Sequence, residues 1–136
     1  MDQHQIDLVQ STFAQVVPIA DAASTIFYDD LFERDPSLRG LFQDDLTEQR
    51  RKLMMMLGMA VNGLNDLEAT VPIVRDLGAR HAGYGVLPKH YDTVGAALIA
   101  TLEKGLGPAF TPEVRDAWIA CYTLVAGQMR EAMAAA

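Results

Sequence analysis

Along the chain, apolar side chains recur at steps of three and four, while valine, isoleucine and threonine are scattered singly. That period belongs to helices, and no segment shows the alternation of a half-buried strand. Ile6, Val9, Phe13, Val16 and Val17 make a first stripe, and Pro18 marks the junction with a second helix carrying Ile26, Phe27, Leu31 and Phe32. Asp35-Pro36 punctuates that helix and starts a turn ending in LRGLF. Gln43, Asp44, Asp45 and Leu46 then separate Phe42 from a third helix, which Asp44 or Asp45 is expected to cap and whose stripe is Leu53, Leu57, Ala60, Val61 and Leu64. Thr70 and Pro72 read as the cap and an early position of a short helix holding Ile73, Leu77 and His81, which Gly83 and Gly85 end. Pro88 opens the next helix, with Tyr91, Val94, Leu98 and Leu102 inward. Thr111 and Pro112 repeat the cap-then-proline pattern before a long last helix with Val114, Trp118, Cys121, Tyr122, Val125 and Met129. The pattern predicts a single all-α domain over residues 1–136, built from six or seven helices.

Composition narrows the partners. Half of the 136 residues are hydrophobic and 21% are charged, enough apolar surface for a real core. A net charge of −7 argues against nucleic acid or an anionic membrane as the main partner, since both repel such a chain at long range. Arg50, Arg51 and Lys52 form the one basic cluster, ordinarily a solvated helix face. The single cysteine, Cys121, cannot form an internal disulfide and fits a reducing compartment. The start, MDQHQIDLVQ, lacks the basic segment and apolar run of a secretory signal, and the runs LMMMLGMAV and VGAALIATL are far short of the roughly 20 residues that span a bilayer. A cytoplasmic protein without membrane insertion is expected. His4 and His90 read as surface residues.

Three polar side chains sit where oil is expected. His81 follows Ile73 and Leu77 at steps of four, and burying an imidazole without a partner costs on the order of 1–3 kcal/mol. The bland reading is that its ring bonds a nearby carbonyl and does nothing further. Tyr28 lies at the centre of the second helix beside Ile26 and Phe27, and Gln49 lies one turn before Leu53 on the edge of an apolar face. Together these would supply donors to one interior point opposite His81, which is how a haem pocket is arranged.

The whole chain resembles a bacterial single-domain globin and is similar to the haem domain of flavohaemoglobins. The resemblance rests on IFYDDLF around Tyr28, PSLRGLF ending in Phe42, EQRRKL with Gln49 and Leu53, ARHAGYGV with His81, HYDTVGAALIATL with Tyr91, and AWIACY with Trp118. It implies a three-over-three helical sandwich. The short gap after Phe42 leaves no room for the small extra helix of vertebrate globins, and the long first helix disfavours the truncated two-over-two variety.

The resemblance also implies roles. His81 is the proximal ligand to the iron of haem b (iron protoporphyrin IX), with its second ring nitrogen left for an acceptor. Tyr91 matches a tyrosine placed beside that histidine, and Tyr28 and Gln49 match distal donors towards dioxygen. Leu53 is an apolar wall, and Phe42 wedges against the haem plane. Phe27, Leu57, Leu77, Val86, Val94 and Leu98 are expected as further wall on spacing, and Lys52 or Arg80 as partners of a haem propionate. Dioxygen, nitric oxide and carbon monoxide are the implied ligands. Nitric oxide dioxygenation would need an external electron donor or reductase. A glutamate that polarises the proximal histidine in enzymatic members falls here nearer Met133 than Glu131, which leaves electron push on the iron open. A peroxidase-like catalyst, a gas sensor and a haem-free helical protein are the competing classes.

Overall fold

A computed structural model describes residues 1–135. Six α-helices carry the fold: α1 (Gln3–Val16), α2 (Ala20–Arg34), α3 (Thr47–Asn62), α4 (Leu67–Gly83), α5 (His90–Leu106) and α6 (Pro112–Ala135). Short 3₁₀ turns link them at Val17–Ile19, Pro36–Leu41, Gly63–Asn65 and Gly107–Ala109. Among the described residues there is no strand, and no helix is long and apolar enough to cross a membrane. Helices α1, α3 and α4 lie across α2, α5 and α6, the expected three-over-three sandwich, and no small helix follows Phe42.

Local chemistry sets the helix ends. Asp2 opens α1 with a capping box, its carboxylate accepting from the Gln5 amide while the Gln5 side chain accepts from the Asp2 amide. Asp45 rather than Asp44 meets the start of α3, accepting from the amide and hydroxyl of Thr47 at 2.9 and 2.7 Å. Thr70 and Pro72 do not begin α4. Asp66 does, with its carboxylate on the Ala69 amide, so the helix is a full turn longer at its start and Pro72 lies inside it. The hydroxyl of Thr70 instead returns to the Gly63 carbonyl at 3.1 Å, tying α4 to the preceding turn.

The core forms around Trp118, which is fully buried and donates from its indole nitrogen to the Thr12 hydroxyl at 2.9 Å. Thr12 passes its own proton back to the Leu8 carbonyl, so this buried polar pair is satisfied on both sides. Ile6, Val9, Phe13 and Val16 bury as expected, but Val17 is 53% exposed. Pro18 tightens the chain into a 3₁₀ turn there, and the change of period swings Val17 off the stripe. His90 is likewise corrected from surface to buried: its Nδ1 accepts from the Leu87 amide at 2.9 Å, just ahead of α5.

Helix α4 rests chiefly on α6 and barely touches α3, although only three residues of 3₁₀ turn and Asp66 separate the two in sequence. The two backbones come into near contact at Gly78, where a Cβ would stand 2.5 Å from the Met129 carbonyl oxygen and 2.6 Å from its Cα. Both neighbours are backbone and cannot turn aside. In Gly78→Ala the steric cost should outweigh the helical preference for alanine, lowering stability by about 1–3 kcal/mol in urea denaturation.

Candidate functional site

Tyr28 projects from the middle of α2 into a cluster of rings and is only 3% exposed. Phe27 and Phe42 meet it edge-on at centroid separations of 5.0 and 5.6 Å, and Phe32 completes the cage at 5.9 Å. Gln49, on the first turn of α3, donates from Nε2 to the Tyr28 hydroxyl at 3.0 Å. The phenol oxygen is therefore an acceptor in that bond, and its own hydrogen has no acceptor among the described residues. Burial pushes the phenol above its ordinary pKa, partly offset by the Gln49 bond, so the group stays a donor at neutral pH.

Phe42 is held by a residue that the sequence reading passed over. Arg39 lays its guanidinium over the Phe32 ring at 5.3 Å and donates to the carbonyls of Gln43 and Asp44 at 2.9 Å each, with a longer bond to Phe42 at 3.4 Å. One side chain thus pins the irregular segment leading into α3. A lone arginine between a proline turn and an aromatic was the available signal; nothing in its spacing said that its targets were carbonyls.

His81 ends α4 as a half-buried side chain whose Nδ1 lies 2.6 Å from the Leu77 carbonyl, one turn back. A carbonyl only accepts, so Nδ1 carries the hydrogen and Nε2 keeps its lone pair. The chain then wraps round this helix end, the amides of Tyr84 and Val86 both returning to the His81 carbonyl. Gly85 adopts φ +85°, and its Cβ position is 3.5 Å from a methyl of Leu41. The corner after His81 therefore closes on the segment that carries Phe42.

Between α3 and α4 the apolar side chains are not fully covered. Gln49, Leu53, Met56 and Leu57 share one face of α3, and Ile73, Leu77 and His81 one face of α4, beside the Val74–Gly78 line that meets α6. Leu53, Leu57 and Leu77 are half-buried, and Ile73 is 50% exposed. Ile73 is thus no core residue of the protein alone. Of the remaining expected wall, Phe27 and Leu98 are buried, and Val86 and Val94 half-buried.

Tyr91 is buried, but its hydroxyl lies 2.9 Å from the Met133 sulfur, and the Arg130 guanidinium stacks over its ring at 5.3 Å. Tyr122 donates to the Tyr91 carbonyl at 2.6 Å and fixes the start of α5. Glu131 faces away, 3.4 Å from Arg75. Arg80 is engaged by Asp76, and Lys52 stands exposed on α3. Among the described residues no group of three or more His, Cys, Asp or Glu gathers to hold a bare metal ion. A lone imidazole holds a metal firmly only when other ligands arrive with it, as in a porphyrin, and the flanking apolar faces fit such a plate.

A globin family model matches residues 25–129 of the chain, the span that runs from α2 through most of α6. The chain is a globin. It is 28% identical over 131 residues to a flavohemoprotein of Bacillus subtilis, an alignment covering 93% of this chain and 32% of that protein. The globin thus spans about a third of that relative's length. It is 34% identical over 118 residues to a neuroglobin of Tetraodon nigroviridis, covering 76% of this chain and 74% of the other. Among solved structures, a bacterial globin from Campylobacter jejuni superposes with a TM-score of 0.87 at 23% identity, covering 98% of this chain and 97% of the other. An engineered carbene transferase from Rhodothermus marinus, derived from a candidate nitric oxide dioxygenase, gives 0.88 at 26% identity, covering 99% and 94%.

Proposed function

We propose that this globin holds haem b on His81 and binds dioxygen reversibly, with carbon monoxide and nitric oxide as further ligands. The observation that carries the reading is the imidazole itself, with Nδ1–H spent on the Leu77 carbonyl and Nε2 free beside the half-covered apolar faces of α3 and α4. Haem iron supplies an axial position at which a diatomic gas coordinates reversibly. His81 would hold the iron, and the fixed Nδ1–H bond orients the ring. The unspent hydrogen of Tyr28 and the Gln49 amide would donate to the partial negative charge of dioxygen, while Leu53 excludes water. Lys52 is free to approach a propionate, whereas Arg80 would first have to leave Asp76.

Nitric oxide dioxygenation is a second activity of the same site, supported by the likeness to the flavohemoprotein and to the Rhodothermus protein. It requires one electron per cycle from an external donor or reductase to restore ferrous iron. The single cysteine fits a reducing, cytoplasmic setting for such a donor.

Purified protein should show a Soret band that shifts on reduction and again with carbon monoxide. His81→Ala should lose it, and added imidazole should restore it by filling the vacated position; retention of the original fifth-ligand signature in resonance Raman would remove His81 from this role. Tyr28→Phe should speed dioxygen release at least about tenfold, the effect expected of losing one donor to a charged acceptor, and an unchanged off-rate would discount Tyr28. Stopped-flow mixing of the oxygenated protein with nitric oxide should yield nitrate rapidly; slow or absent nitrate would leave gas binding alone.

A further inference from the structure

A second concavity, of about 440 Å³, lies between the end of α1, the start of α2 and the first turns of α3. It is an open groove rather than an enclosed cavity, and its lining is mainly apolar with a few polar groups. Phe13, Val17, Met54 and Met55 supply the apolar wall, and Val17 and Met55 are exposed. It is not the cleft of His81. Gln49 bonds Tyr28 and shares a helix face with Leu53, whereas Arg50 and Met54 stand one residue on, about 100° round the same helix.

Arg50 differs from the other members of the basic run. Arg51 is bonded to Glu48, and Lys52 is exposed. Arg50 is half-buried, and its Nε is closed to solvent without an acceptor among the described residues. Only that one nitrogen is shielded; no hydrogen bond or ion pair among the described residues holds the rest of the guanidinium, Asp45 being near enough only to feel its charge, and the open end of the planar fork suits a carboxylate. Asp21, on the opposite wall, makes no ion pair with it. An oily trough with one unmatched cation at its side complements a ligand with an anionic head and an apolar tail.

We propose that this groove binds a free fatty-acid carboxylate, the head on Arg50 and the chain along Phe13, Val17, Met54 and Met55. The inference does not depend on the haem reading, because none of these side chains belongs to that site. Titration of the purified protein with decanoate, followed by calorimetry, tests it. Decanoate should saturate one site, and decanol should bind at least about tenfold more weakly, the loss of one charge-assisted pairing. Arg50→Gln should bring decanoate down to the decanol level, Asp21→Asn should tighten decanoate by removing a competing negative charge, and Met54→Trp should fill the groove and abolish binding. Equal affinity for the two probes, no saturable binding, or decanoate binding that survives Met54→Trp and perturbs the haem absorption would each overturn the assignment. Circular dichroism of Arg50→Gln and Met54→Trp separates loss of binding from loss of fold.

Discussion

The backbone contact between Gly78 and Met129 decides where α4 lies, and with it the shape of the site. A helix can press its axis close to another only where the side chain between them vanishes, and Gly78 is that point on α4. Seated on α6, α4 cannot also cover α3, although the two are joined by a short turn anchored through Thr70 and Gly63. The apolar faces of Leu53 and Leu57 on one side and Ile73 and Leu77 on the other are left incompletely covered. In a protein this small that cleft is a loss of burial worth about 25 cal/mol for each Å² left wet, which the proposed haem would recover by filling it.

Polar groups at the two sides of the cleft are held by quite different means. On the α2 side Tyr28 is fixed by rings and by Gln49, and the rings are fixed in turn by Arg39 clasping the carbonyls before α3. On the α4 side His81 depends chiefly on local geometry: a carbonyl one turn back and a corner whose Tyr84 and Val86 amides return to its own carbonyl, with Leu41 against Gly85 as the distant contact. The first arrangement needs residues distant in sequence to agree, and the second is nearly complete within a dozen residues.

That difference explains what could be read before any coordinates. The helices and the turn after Asp35 follow from apolar period and proline position, which are local properties, and the missing helix after Phe42 from the short gap there read with the globin resemblance. The start of α4 was misplaced because Thr-x-Pro imitates a cap, while the aspartate that does the work stands four residues earlier and competes on equal terms in sequence. Val17 was misplaced because a 3₁₀ turn breaks the period at Pro18, and His90 because a histidine beside a lysine gives no hint that a loop amide will claim it. His81, Tyr28 and Gln49 stood out as polar residues on oily faces. Arg39 did not, because its partners are backbone atoms, and backbone atoms leave no mark in a sequence.

The surroundings of His81 also bear on which activity the pocket favours. A carboxylate hydrogen-bonded to an imidazole N–H draws the ring towards imidazolate and strengthens its donation to a metal; a carbonyl does so more weakly. Here the N–H rests on the Leu77 carbonyl. Of the two late positions on α6 from which an acid might act, one presents a thioether to Tyr91 and the other a glutamate turned to Arg75. Tyr91 thus spends its hydroxyl on a weak acceptor, with an arginine cation over its ring rather than an acid beneath it. With haem bound as proposed, an imidazole held only by a carbonyl would lend little push for breaking an oxygen–oxygen bond and would support holding the ligand intact. Under the proposed haem reading, the surroundings of His81 would therefore favour reversible binding, and redox turnover would depend on what Tyr28, Gln49 and an outside reductant add.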